Sequence, residues 1–351
     1  MDFIYTFLIF VVVLFVYLHI VAQRKKSQDL EVYEMDYQSN QGLQDVCDLK
    51  QPVLFRFSSI DPVTINKCLQ KSSFDVNVKS TEDYYGSSNT IIDYVDPVVL
   101  MFSSFNVLIK TNEKSAYFTE DNERFVDDAG LYADYKELDD FLKPPIFISQ
   151  TKYDLWTGSP LSYTPLRYHT NYRQFLYVTS GKIHVKMTPW KSSRYLDPIH
   201  DYENYEFWSP IRPSWKSQGR ESENLQKIKF LEFDVLSGFV LYLPPYWWYS
   251  IQYGAADTVI MSYTYNSVMN IVANIPYILR HYVQISHTKR RVLNAYSEKA
   301  ESSNPDPTPV KEGEDKEKKD STEMSNILPV SLVLPVKLTE IDFANDIYNS
   351  K

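Results

Sequence analysis

The chain has 351 residues, 44% of them apolar and 15% aromatic, enough for a sizeable core, which excludes a wholly disordered protein. Only 9 glycines and no P-loop or dinucleotide fingerprint exclude the usual nucleotide-cradling loops. A net charge of −9, with no long basic stripe in the folded region, excludes nucleic acid as a main partner.

Residues 3–22, FIYTFLIFVVVLFVYLHIVA, carry no formal charge if His19 stays neutral. Twenty helical residues span about 30 Å, the thickness of a bilayer's hydrocarbon core. The run lacks a basic leader and a good small-x-small cleavage site, so it reads as a transmembrane anchor rather than a cleaved signal. Asp2 precedes it and Arg24, Lys25 and Lys26 follow, which places the bulk of the chain on the cytoplasmic side. The absence of any Asn-x-Ser/Thr acceptor agrees. The two cysteines, Cys47 and Cys68, form no disulfide framework and suit a reducing compartment.

Residues 23–45 are polar and read as a tether, and a globular domain is expected over 46–298. "PVLFRF", "DPVVLMF" and "SAYFT" predict short strands, and "YKELDDFLK" (135–143) predicts a helix stopped by Pro144. "QFLYVTSGKIHVKMTP" (174–189) predicts a strand pair turned at Ser180-Gly181. Its second strand alternates Ile183, Val185 and Met187 with Lys182, His184 and Lys186, the pattern of a half-buried antiparallel strand. A second β block covers 227–265, after a Tyr- and Trp-rich insertion over 190–226. In "SVMNIVANIPYILRHYVQ", Val268, Ile271, Val272, Ile275, Ile278, Leu279 and Tyr282 share one helical face, and Pro276 is expected to kink or break the helix. Residues 299–325 are charged and Pro-rich, a disordered linker, and 326–351 form an apolar-containing tail.

"GSPLSYTPLRYHTNYRQFLYVTSGKI" and "FDVLSGFVLYLPPYWWYSIQY" together resemble the cupin-like, JmjC-type double-stranded β-helix family. The finer resemblance of "YHTNYRQ", "DYENYEFWSP" and "LPPYWWYSIQY" is to a membrane-anchored subgroup of large DNA viruses and some protists. The resemblance implies a mainly β fold: a double-stranded β-helix with flanking helices, behind one transmembrane helix. It also implies, for active members, Fe(II) held by a His, a carboxylate two residues on and a distal His, with 2-oxoglutarate as cosubstrate.

This sequence departs from that ligand set. One alignment puts Arg167 and His169 at the first two ligand positions, and a slide puts His169 and Asn171 there; both lose the carboxylate. Tyr249 stands where the distal His belongs. Ile183 takes the position at which some members carry a cosubstrate lysine, and Lys182 beside it points to the other face. His184 and His200 read as surface residues, although His169 and His184 with Asp201, Glu203 or Glu206 form an alternative ligand set. Thr164, Arg167, His169, Asn171, Lys182, Tyr246, Trp248 and Tyr249 are the candidates for a relict pocket; Arg167 can hold an anion or pair with an acid of the fold. The expectation is a non-catalytic, membrane-anchored cupin-like domain that uses neither metal nor cofactor and binds a protein or small-molecule partner at the cytoplasmic face. The alternatives are an Fe(II)/2-oxoglutarate hydroxylase with atypical ligands and a structural protein of a viral membrane.

Overall fold

The computed structural model describes residues 2–58, 62–85, 95–111, 116–215 and 225–286. The linker and tail expected over 299–351 lie outside them. Helix α1 (Asp2–Arg24) contains the apolar N-terminal run and is long and apolar enough to cross a membrane. The stretch expected as a tether is part of the fold: β1 (Tyr33–Met35) pairs with β2 (Val53–Arg56), and α2 (Asn40–Cys47) buries Leu43 and Cys47. Ser39 caps α2 by accepting from the Gly42 N–H, a local signal that polarity alone conceals. Then come α3 (Ile65–Leu69), β3 (Asp75–Ser80), β4 (Val98–Met101), α4 (Phe102–Thr111), β5 (Tyr117–Thr119), α5 (Glu123–Asp128) and α6 (Tyr132–Leu142). In α6, Tyr135, Leu138 and Leu142 recur at helical spacing and are buried, and the helix ends at Leu142 because Lys143, before Pro144, is held in the extended region by pre-proline sterics.

The barrel follows: β6 (Ile148–Gly158), β7 (Arg167–Tyr168), β8 (Arg173–Ser180), β9 (Lys182–Thr188), β10 (Ile199–Asp201), β11 (Glu206–Trp208), β12 (Leu231–Leu236), β13 (Phe239–Leu243), β14 (Trp248–Tyr253) and β15 (Val259–Ser267), then α7 (Val268–Ile285). A nine-stranded sheet runs β1-β2-β13-β8-β15-β6-β5-β3-β4, and a six-stranded sheet runs β10-β11-β7-β14-β9-β12.

β8 and β9 are therefore not partners. β8 lies between β13 and β15, while β9 lies between β12 and β14 in the other sheet. The Ser180-Gly181 corner switches sheets, and the Ser237-Gly238 corner between β12 and β13 switches back. Both glycines have positive φ. A Cβ on Gly181 would stand 2.8 Å from the Thr258 backbone, so only glycine fits that corner.

Alternation along the strands then builds three packed layers. One face of the large sheet (Tyr153, Leu155, Phe175, Tyr263) packs on α2 to α6. The inner faces of both sheets (Trp156, Leu176, Ile183, Trp247, Tyr249, Ile260) fill the barrel. The outer face of the small sheet (Tyr168, Trp248) packs under the insertion with Leu196, Phe207 and Tyr246. That insertion contributes β10 and β11 and covers the polar side of β9, where Lys186 is buried against Trp215 and Phe230. The polar face expected on β9 is thus buried at Lys186.

Helix α7 runs through Pro276 without ending. A mid-helix proline costs about 3 kcal/mol, which the Ser267 N-cap and the tertiary contacts of Asn270, Ala273 and Asn274 offset. Both cysteines are free and buried.

Candidate functional site at the barrel mouth

β6, β8 and β15 turn polar toward one end of the barrel interior. Asp154 and Trp156 of β6, Gln174 of β8, Thr264 of β15, and Asn270 and Asn274 of α7 line a cavity of about 710 Å³ at this open end. Its wall is rich in amides and hydroxyls. Asp154 accepts from the Asp121 and Asn122 N–H groups and from the Trp156 indole. Burial, with Asp121 adding to it, pushes its carboxyl up to about 7 against those donors.

Beside this cavity lies an ionic cluster that is buried except at Asp121, whose side chain is exposed. The ammonium of Lys79, the next-to-last residue of β3, donates to Glu120 at 3.0 Å, Asp121 at 2.7 Å and Glu206 at 2.5 Å. The Arg167 guanidinium forms a two-pronged pair with Glu120, at 2.6 Å through Nη1, and lies 3.7 Å from Glu206. Tyr84 donates its hydroxyl to Glu206 at 3.1 Å. Burial pushes Glu120 up, but Arg167 and Lys79 outweigh it and hold the carboxyl at about 2. Burial disfavours the Lys79 ammonium, yet Asp121, Glu120 and Glu206 keep its pKa well above the ordinary value. Glu120, Asp121 and Glu206 offer ligand atoms within 4.8 Å of one another, spacing that suits a hard cation. Lys79 bonds to all three.

Arg167 and Tyr249 are register partners across β7 and β14, and the guanidinium lies 5.5 Å from the Tyr249 ring centre and 5.2 Å from Trp156. His169 lies near the same phenol, with ring centres 6.1 Å apart. The order of these residues along two barrel strands, the Ser-Gly corners and the Pro-Pro-x-Trp-Trp segment all sit where the sequence resemblance put them. A family model described as a cupin-like domain matches residues 60–271. The chain belongs to the cupin-like domain family. A search of curated proteins finds no match.

The cupin-like barrel brings only some of the sequence candidates together. Arg167 and Tyr249 face the interior, His169 adjoins them, and Asn171 reaches the cavity wall. Thr164 staples a loop to β14, accepting from the Ile251 N–H and, through its carbonyl, from the Ser250 hydroxyl. Tyr246 and Trp248 point to the opposite side of the small sheet, where Trp248 donates to Ser193 at 2.7 Å. Lys182 opens β9 at the Gly181 corner and is exposed. His184 pairs with Asp234, and His200 meets the Tyr168 hydroxyl at 3.0 Å. The alternative set of His169 and His184 with an acid does not assemble. Asp201 accepts from the N–H groups of Glu203 and Asn204, and Glu206 joins Lys79. Lys79 and Glu120 escaped the sequence reading. His281 of α7 also lines the cavity.

His169 is neutral. Its Nε2–H donates to the Leu243 carbonyl at 3.1 Å, while Nδ1 has no partner. Burial lowers its pKa to about 3, against that hydrogen bond. The unfolded chain takes up this proton near the ordinary value of 6.5 and the folded chain does not. The stability His169 contributes is therefore full above 6.5 and is lost as pH falls toward 3. Relative to His169→Gln, the wild-type protein should lose about 2–3 kcal/mol between neutral pH and pH ~4. Urea unfolding of both proteins across that range checks it; parallel pH profiles would refute it. Comparing the two cancels Asp154 and Glu206, whose raised values act in the opposite sense.

Proposed function

We propose that the chain is a membrane-anchored, non-catalytic cupin-like module that binds an uncharged polar ligand or a segment of a partner protein in its barrel mouth. One observation carries this reading: the protein's own cations, Lys79 and Arg167, already pair with Glu120, Asp121 and Glu206 beside the mouth. The group that active relatives of this fold use, Fe(II) with 2-oxoglutarate, does not fit these residues. A guanidinium paired to Glu120 repels a dication. His169 keeps one unpartnered ring nitrogen, Nδ1, but the ring beside it is the Tyr249 phenol and not a second imidazole. Burial pushes the Tyr249 phenol up to about 12, so it is no anionic ligand at neutral pH.

Beside the carboxyls of Asp121, Glu123, Asp154 and Glu203, the cavity offers amide and hydroxyl groups. The buried Gln174 Oε1 and Asn274 Oδ1 have no hydrogen-bond partner, and a ligand's N–H or O–H groups would satisfy them. Helix α1 is the anchor in this reading, and the basic Arg24-Lys25-Lys26 flank sets the domain on the cytoplasmic side.

Anaerobic Fe(II) titration of the purified full chain, followed by a succinate-release assay with 2-oxoglutarate, tests the non-catalytic reading. The expected result is no stoichiometric iron and no succinate. Micromolar iron binding, with turnover lost in His169→Ala, would overturn it in favour of an atypical hydroxylase.

A further inference from the structure

Helix α7 carries its polarity inside out. Its buried residues are Asn270, Ala273 and Asn274, and both asparagines donate to the Thr170 carbonyl, at 3.1 and 3.2 Å. The apolar positions Val268, Val272, Ile275, Leu279 and Val283 recur at intervals of four, three, four and four, which is one stripe along the helix. In a helix of a water-soluble domain that stripe would face the core. Here Ile275 is 45% exposed, Leu279 60% and Val283 61%, and Tyr282 beside them is 67% exposed. Sixteen residues, Val268 to Val283, make the stripe roughly 24 Å long. α7 contains no acidic residue, and its formal charge is Arg280 alone, in its last two turns.

The contact with α1 indicates what covers this face. α1 is exposed along most of its length, and Val16, His19, Ile20 and Gln23, spaced as one helical face, are its partly covered positions in the last two turns. These two helices pack together, and the Arg24 guanidinium donates to the Ala273 carbonyl of α7 at 2.7 Å. If α1 spans the bilayer, residues 16–23 occupy its final ~12 Å, counted at 1.5 Å per residue. A helix in contact with that portion lies at the depth of the headgroups and upper acyl chains. There an apolar stripe is buried favourably, and flanking Arg, Lys and Tyr side chains reach the polar layer.

We infer that α7 is a second membrane contact: its Val268–Val283 stripe rests in the interface of the bilayer that α1 crosses. The inference rests on α1 being the anchor. It also fixes the orientation of the domain, because the opposite side of α7, through Asn270, Asn274 and His281, forms a wall of the mouth cavity. The cavity is thereby held beside the membrane surface, where a membrane-associated partner can reach it.

The test uses the full chain reconstituted into phosphatidylcholine vesicles with a minor share of phosphatidylserine. An environment-sensitive fluorophore is placed on Leu279→Cys, Val283→Cys or Asp257→Cys. The native Cys47 and Cys68 stay unlabelled because burial hides both thiols and pushes each pKa up to about 12. Asp257 serves as control: it precedes β15, whose nine residues, about 30 Å of strand, separate it from α7. Probes at 279 and 283 should be quenched by brominated acyl chains and shielded from aqueous iodide, with the reverse at 257. Iodide access at 279 equal to that at 257, while alkaline carbonate leaves the protein in the vesicles, would overturn the α7 contact and leave the anchor intact. Release by carbonate would overturn the anchor and the inference with it. Shielding without bromine quenching, together with a disulfide between two Leu279→Cys chains, would show that a second copy covers the stripe and would also overturn it.

Discussion

Lys79→Met should cost about 3–5 kcal/mol of folding stability, the usual loss when one partner is removed from a buried ion pair. Lys79 is 3% exposed and donates to Glu120, Asp121 and Glu206. Methionine keeps much of the side-chain volume, so the change is chiefly one of charge and hydrogen bonding. Glu120 retains Arg167, but Glu206 keeps only the Tyr84 hydroxyl and the more distant guanidinium. Burial already raises the Glu206 pKa with Lys79 in place, so an ionised Glu206 without it is costly. Glu206→Gln in the same chain should restore part of the loss, because the second change removes the stranded charge. Urea unfolding of the detergent-solubilised chain measures both variants. A Lys79→Met loss under about 1 kcal/mol would place this cluster among solvent-screened surface pairs, whose contribution is of that size.

The barrel was legible because its signals are local. Alternation marked β9, Ser180-Gly181 marked one corner, and Leu138 and Leu142 before Pro144 marked α6. Period two says which way a side chain points and nothing about which strand lies beside it. That is why β8 and β9 read as a pair although they lie in different sheets. The ionic cluster was illegible for a related reason. Lys79 meets Glu120 across 41 positions and Glu206 across 127, and no sequence period marks a charge folded into an interior. Arg167 and Tyr249 were found through family motifs, and Trp248 shared a motif with Tyr249, yet the strand's alternation sends them to opposite faces. In α7 the apolar periodicity named one helical face, and Ile275, Leu279 and Tyr282 on it are exposed. A hydrophobic stripe identifies a buried face without saying whether protein or lipid buries it.

The same cluster yields a prediction about its charge. In wild type, two cations, Lys79 and Arg167, face three carboxylates, Glu120, Asp121 and Glu206. Removing Lys79 leaves three carboxylates against one guanidinium, an excess of two negative charges, with ligand oxygens still within 4.8 Å of one another. Hard divalent cations take oxygen ligands at about 2.0–2.6 Å, so small side-chain movements bring the three acids into range of one ion. Lys79→Met should therefore become a Mn²⁺- or Mg²⁺-stabilised protein, while wild type gains nothing because its ammonium already bonds to all three acids. At a metal concentration about 100 times the dissociation constant the gain is about 2.7 kcal/mol, most of the loss that the substitution causes. Thermal unfolding of both proteins across a metal titration, with chelator controls, measures it. Stabilisation of wild type by the metal, or destabilisation by chelator, would show that an ion and not Lys79 occupies the site, and with it the non-catalytic reading would fall. A Lys79→Met protein indifferent to metal would show that Arg167 alone neutralises the acids, and would remove Lys79 as the stand-in for the ion.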